Sequence, residues 1–417
     1  MKPRRVAVTG VGMVSPVGAT AAASFEALLA GRSGIRSYSP EGAPRPLAVP
    51  AGVCADFDAA SALGKPRALA MDRYSHLGVA AALEAWRDAG LAEKAGEDRG
   101  DWGVAWGTGM GGALTYERGY RDVYAAGRDR LAPMTVVQAM NNACAGHLAI
   151  GLGLGGSCLT YSVACASAAA AIGEAFRRVR AGAAPVMIAG GSEAPLGYGV
   201  IRAWLALQVL APGNDASASG ACRPFMAARA GLVLAEGAAA LVLEDRARAE
   251  ARGARVYAEI AGYGESCDRT NLVRPDAEGQ ARALRAALAD AGLAPADVDY
   301  VNAHATGTRE GDAVEVAALV AALGGDAARV AVSATKSAHG HPLGAAGAIE
   351  AVATVLSLAS GDLPPTLGEE AGLDEACRGL DHVLGAARRG ARPRVALSNS
   401  FAFGGANAVL ALRAVSD

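Results

Sequence analysis

The chain has 417 residues, 52% of them hydrophobic, with 39 Lys and Arg against 41 Asp and Glu and a formal net charge of -2. That length exceeds one ordinary core, so two domains or a duplicated domain is expected. The near balance of charge excludes a nucleic-acid partner held by bulk charge, and 54 glycines beside only 5% aromatics point to closely packed elements with many tight turns.

The N-terminus, MKPRRVAVTGVGMVSPVGATAAAS, has the basic, apolar and small-residue order of a secretory leader. Glycines and Pro16 interrupt its apolar part, so it reads as a first strand, RRVAVTG (4–10), running into a Gly-rich turn. No other window offers about 18 uninterrupted apolar residues, so no membrane span is expected. Next comes the strand WGVAWGTG (102–109), ending in GTGMGG (107–112), a formal G-x-G-x-x-G. No strand about 20 residues further on ends in an acidic residue to hold a ribose, so tight turns against packed backbone are expected there, not a dinucleotide. TGVGMVS, with Ser15 in place of the third Gly, is read the same way.

LTYSVA (159–164) is β-like, and ASAAAAIGEAFRRVRAG reads as the helix after it. Cys165 lies in the turn between them, where orphan N–H groups and the helix dipole favour a thiolate. From this stretch alone a small buried hydrophobe is an equal reading. The strands APVMIAGG (184–191) and AALVLE (239–244) close the first half. The second half offers RVYAEIAGYG (255–264), VDYVNAH (298–304), RVAVSAT (329–335), RVALSNS (394–400) and ANAVLALR (406–413), with a helix at 279–293. Strands alternating with helices imply a parallel sheet covered by helices.

The halves look alike in outline. Each opens with an Arg-Val strand, each has a strand and reactive turn before an Ala-rich helix, and each closes with EGAAALVLE or GGANAVLALR. An internal duplication is expected, with units 1–254 and 255–417 sharing one core. The seven cysteines contain no C-x-x-C pair, which reads as reduced thiols in a cytoplasmic protein.

Three further turns follow strands. VNAHATGT (301–308) carries His304, with Thr306 and Thr308 placed to hydrogen-bond a polar arm; a satisfied core histidine is the alternative. ATKSAHGHPLGAAGAIE (334–350) sets Lys336, His339 and His341 in one Gly-flanked turn. A metal would need further ligands, whereas a thiolate nucleophile and two imidazoles account for the set without one. NSFAFGGAN (399–407) brings Phe401 and Phe403 beside paired glycines, either as a pocket wall with N–H groups for an oxyanion or as a plain hairpin. In a parallel sheet the C-terminal strand ends gather on one side, which would unite all four turns.

These motifs resemble the β-ketoacyl-acyl carrier protein synthases of the elongating Cys-His-His type, and the resemblance runs from VAVTGVGMVSPVG to the last strand. It implies an α/β thiolase fold, two similar halves in a five-layered αβαβα arrangement, usually dimeric. It implies decarboxylative Claisen condensation of a Cys-bound acyl chain with malonyl-acyl carrier protein in fatty-acid elongation, or the same step in a type II polyketide or aryl-polyene pathway with a chain-length-factor partner. By this resemblance Cys165 is the nucleophile, and His304 and His341 promote loss of CO2. Lys336 holds the site's charge, the N–H groups of Cys165 and Phe403 form the oxyanion hole, and Thr306 and Thr308 bind phosphopantetheine. His341 is chosen over His339 because the motif is Gly-His-x-Leu-Gly. No metal or cofactor is expected; acyl carrier protein is the expected partner, in a homodimer or heterodimer.

The departures are Ala166 after the nucleophile, Ala402 for the first glycine of a Phe-Gly-Phe-Gly-Gly gate, and Met134 and Thr135 where aromatics are common. With Met110 they imply a different acyl pocket, and Ala402 implies a stiffer gate if opening needs a positive φ. Lys65, Arg67 and Arg73 are candidates for a basic rim facing an acidic carrier protein. A thiolase would need a second cysteine in NSFAFGGAN, which has none.

Overall fold

The computed structural model describes residues 3–92 and 97–415. Five strands of the first half are β1 (Val6–Val14), β2 (Gly103–Gly107), β3 (Cys158–Tyr161), β4 (Val186–Glu193) and β5 (Gly237–Asp245). Five of the second are β6 (Ala258–Cys267), β7 (Tyr300–Asn302), β8 (Ala331–Ser333), β9 (Val395–Phe401) and β10 (Ala406–Ala414). They lie side by side in the order β3-β2-β4-β5-β1 and β8-β7-β9-β10-β6. Both orders are third, second, fourth, fifth, first, and in both the fifth strand runs antiparallel to its two neighbours. A short antiparallel contact of β1 with β6, from Val6↔Ile260 to Val8↔Ala258, joins the halves.

Alternation along the strands builds the layers, because successive side chains point to opposite faces. Ala239, Leu241 and Leu243 of β5 enter a central core, while Ala240 and Val242 enter an outer one. In β10, Ala408, Leu410 and Leu412 face the same central core and Val409 and Ala411 the opposite outer one. In chain order the longer helices are α1 (Arg73–Asp88), α2 (Ala113–Tyr120), α3 (Ala143–Leu152), α4 (Ser167–Arg180), α5 (Tyr198–Ala206), α6 (Ala277–Ala291), α7 (Arg309–Leu323) and α8 (Ala346–Ser360). On one outer side lie α1 and α3, and on the other α6 and α7. Two Ala-rich helices fill the middle, α4 after β3 and α8 after β8. The result is the five-layered αβαβα arrangement of two similar halves around one shared core. Leu343–Ser360 has the length and apolarity of a membrane span, but 83% of it is buried inside the fold.

Three expectations fail here. The sheet is mixed rather than parallel, since β5 and β10 run antiparallel to both of their neighbours and β1 pairs antiparallel with β6. TGVGMV is no turn: β1 continues through it. A Cβ on Gly10 or Gly12 would lie 2.1 or 2.0 Å from the carbonyl oxygens of Ala85 or Ala81, so glycine is needed for α1 to pack on the strand. The strand expected over 159–164 ends at Tyr161, and a tight turn over Ala164–Ala166 precedes α4.

Candidate active site

The four turns meet at a cavity of about 290 Å³ whose wall includes Cys165, His304, Thr306, Thr308, His341, Phe401, Ala402 and Phe403. Cys165 stands on an elbow: Ala164 before it has φ 48, a left-handed conformation rare without glycine. Ser167 fixes the elbow, its Oγ accepting from the Val163 N–H at 2.9 Å and donating to the Ala164 carbonyl at 2.7 Å.

His304 follows β7, and the buried Glu315 of α7 holds its loop. The Glu315 carboxylate accepts from the N–H groups of His304 and Ala305 at 2.8 and 2.7 Å and from Asn399 Nδ2 at 3.0 Å. Asp312 accepts from Gly307, and Arg229 donates to the Thr308 carbonyl, so the two threonines are set from behind. Thr306 and Thr308 hydroxyls are 3.2 Å apart on the cavity wall. The His341 turn is clamped to a short strand over Leu234–Ala235: His341 N–H donates to the Val233 carbonyl at 2.7 Å, and its own carbonyl accepts from the Ala235 N–H at 3.0 Å.

His341 Nε2 lies 3.0 Å from Cys165 Sγ. The His304 ring meets His341 edge-on with centroids 5.3 Å apart. Fully buried Lys336 donates to the His304 carbonyl at 2.5 Å, lies 3.3 Å from His304 Nδ1 and pairs with buried Glu350. With Nδ1 accepting from the ammonium, His304 carries its proton on Nε2. Burial first, then the Lys336 charge, holds both His304 and His341 well below the usual histidine range, so both are neutral. The ligand atoms of Cys165, His304 and His341 lie within 4.8 Å of one another, a spacing a metal would accept. The Lys336 ammonium beside His304 is a competing cation at that point.

The expectation of a thiolate favoured by the helix terminus is corrected. Burial pushes the Cys165 thiol up to about 12; Lys336 and the Phe403 N–H pull it down and Glu193 opposes them. The resting pair is a neutral thiol against a neutral imidazole, and the thiolate arises when the proton passes to His341 Nε2. Such a site can hold an acyl group on sulfur, and its two imidazoles can donate to a developing enolate oxygen.

His339, buried with Nε2 3.2 Å from Thr335 Oγ1, is absent from the cavity wall. GTGMGG wraps a carboxylate of the chain itself: buried Glu193 accepts from the N–H groups of Gly109, Met110 and Gly344 at 2.6, 3.0 and 3.0 Å. Met110, Met134 and Thr135 do not line the cavity of this chain. Met110 and Met134 are exposed, with exposed Val136, Val137 and Met140 close to Met134 in sequence. Ala402 does not adopt positive φ; Gly404 and Gly405 do, at 85 and 73. Arg73 is no free rim cation, since it is paired with buried Glu236 at 2.8 Å. Lys65 and Arg67 form no ion pair among the described residues. Glu193, Glu315, Glu350 and Trp204 complete the site without a motif of their own. Only Glu350 stands inside one of the reactive stretches, and its separation of 14 residues from Lys336 gives no local sign that the two will pair.

The fold and this constellation define a Cys-His-His condensing site on a duplicated α/β scaffold. The chain matches the beta-ketoacyl synthase N-terminal domain over residues 3–249 and the C-terminal domain over residues 257–370. It is 42% identical to nodulation protein E of Rhizobium sp. (strain N33), over 99% of this chain and 100% of that one. It is 39% identical to 3-oxoacyl-[acyl-carrier-protein] synthase 2 of Vibrio harveyi, over 100% of both. Among solved structures, the ishigamide ketosynthase/chain length factor superposes with a TM-score of 0.90 at 32% identity, over 99% and 100% of the two chains. A type II polyketide ketosynthase in complex with its acyl carrier protein and bound to the hexaketide gives 0.89 at 30% identity, over 100% of both. The chain belongs to the beta-ketoacyl synthase family, and it is an enzyme of the acyltransferase class.

Proposed function

We propose that the chain condenses a Cys165-bound acyl group with malonyl-acyl carrier protein, giving β-ketoacyl-acyl carrier protein and CO2 in fatty-acid elongation. The observation that carries this reading is the 3.0 Å approach of His341 Nε2 to Cys165 Sγ, with His304 and Lys336 alongside. In the first step the thiol proton passes to His341 Nε2 and sulfur attacks the acyl thioester. The Phe403 N–H, which already reaches Cys165 Sγ, and the Cys165 N–H receive the oxyanion, and the carrier thiol leaves with a proton. In the second step the malonyl arm lies along Thr306 and Thr308. Nε2–H of His304 and the neutral His341 imidazole, now in its Nε2–H tautomer, stabilise the thioester oxygen as CO2 departs; the carbanion attacks the acyl carbon, and the released Cys165 thiolate takes up a proton from solvent. Lys336, paired with Glu350, keeps both imidazoles neutral and so able to act as uncharged donors. These steps call on no cofactor or metal, and condensation is expected to be unaffected by a chelator.

A second reading, service in a type II polyketide or aryl-polyene pathway, is favoured by Ala402 in the gate and by the type II polyketide ketosynthase and the ketosynthase/chain length factor among the structural neighbours. The partner is acyl carrier protein, and Arg274, on the cavity wall with Asp268 and Glu310 and in no ion pair among the described residues, is a candidate contact for it. We place the enzyme in the cytoplasm, supported by the free state of all seven cysteines. Residues 1–254 and 255–417 are the two duplicated units. A second copy of the chain is the expected companion: among the described residues β3 pairs only with β2, leaving an open sheet edge near exposed Leu159 and Val163. A chain-length factor is the heterodimeric alternative. The test is Cys165 acylation from loaded carrier proteins followed by malonyl-dependent release of CO2. Wild-type turnover with none in His304→Ala or His341→Ala is expected, and CO2 release in both variants would contradict these roles.

A further inference from the structure

Trp204 takes no part in the chemistry described above, yet it stands in the wall of the same cavity as Cys165 and Phe403. It belongs to α5, and its indole is stacked on the Phe403 ring with centroids 5.9 Å apart and planes at 19°. The backbone of the turn carrying Phe403 is held at several other points, among them the Phe403 N–H on Cys165 Sγ and the Asp268 N–H on the Gly405 carbonyl at 2.9 Å. Ala402 packs against both the central core and the apolar cluster around Cys165, and Gly404 N–H donates to the Leu272 carbonyl at 2.7 Å. Of these restraints, only the indole contact holds the Phe403 ring itself.

We propose that Trp204 latches the Phe403 turn and is a specificity-determining residue that favours long apolar acyl donors over short ones. This rests on the reading of the Phe403 turn as the entrance to Cys165. For a donor to reach the sulfur, the Phe403 ring must leave its stack, which forfeits an aromatic contact worth more than its area. A long apolar chain covers the bared indole again and recovers that loss by burial. An acetyl group is too short to do so and bears the full cost.

The experiment follows Cys165 loading over time by intact mass, from acetyl- and from palmitoyl-carrier protein, in wild type, Trp204→Ala, Trp204→Leu and Trp204→Phe. The ratio of acetyl to palmitoyl loading rates should rise about three- to ten-fold in the Ala and Leu variants. Trp204→Phe, which restores a ring, should return it toward the wild-type value. The Leu variant keeps apolar bulk and serves if the Ala variant does not fold. A ratio unchanged in Leu and Ala, or one that Phe fails to restore, overturns the latch while leaving the synthase reading intact. Absence of any Cys165 adduct in the wild type overturns both.

Discussion

At the scale of single residues, the site works by keeping charge away from its nucleophile until a substrate arrives. Burial raises the Cys165 thiol to about 12, so its alkylation by iodoacetamide should be slow at neutral pH and keep rising through about pH 9. A plateau below about pH 8 would show a preformed thiolate instead. The histidines carry a stability signature. Unfolded, each titrates near about 6.5; folded, His304, His339 and His341 resist protonation, so the unfolded chain alone takes up protons as pH falls. Each histidine should therefore withdraw at most about 1.4 kcal/mol per pH unit below about pH 6.5, while the raised carboxyls of Glu193, Asp312 and Glu350 work in the opposite direction, so the histidine share is read in urea titrations as the pH slope lost in His339→Gln. Glu350→Gln removes the buried partner of Lys336 and should cost about 3–5 kcal/mol in the same assay. Cys165, His304, Lys336 and His341 were legible because each stands in a short motif after a strand. Glu193, Glu315 and Glu350 were not, because a buried carboxylate is defined by what surrounds it: the partners of Glu193 come from distant segments, and His304 and Lys336, which meet Glu315 and Glu350 from 11 and 14 residues away, carry no local sign of the pairing.

At the scale of elements, glycine and alanine decide how closely the parts approach. Gly12→Ala would drive a Cβ into the Ala81 carbonyl and should cost about 1–3 kcal/mol, read as a shift of the unfolding midpoint. A loss near zero would mean α1 can move off the strand. Ala402→Gly removes a methyl from two apolar clusters and frees the first position of the gate, so Cys165 loading should be faster than in wild type. Unchanged loading kinetics would count against a stiff gate. The ten strands were legible from their β-branched and aromatic runs, and α4, α6 and α8 from Ala-rich runs, whereas α1, α2, α3, α5 and α7 were not singled out. Two glycine-rich stretches needed the structure to explain them: glycines in β1 serve helix packing, and those after β2 serve a carboxylate of the chain itself. A glycine-rich stretch does not reveal on its own what approaches it.

At the scale of the whole molecule, two halves with one strand order place the Cys165 turn from one half against the His304 and His341 turns from the other. The likeness of the halves and their sharing of one core were legible in the matching order of motifs, whereas that α4 and α8 lie together at its centre emerges only when the halves are packed together. Met134, Val136 and Val137 are exposed apolar residues close together in sequence, a patch that pairing of two chains would cover. Val136→Asp should convert a dimer to a monomer in sedimentation; a dimer that survives would place the interface elsewhere. The whole arrangement requires that Cys165 carry the acyl group. Intact mass after incubation with acyl carrier proteins bearing short, medium, long and unsaturated chains tests it directly. An acyl adduct on the wild type and none on Cys165→Ala is the predicted result, and an adduct of equal yield on both proteins would contradict it.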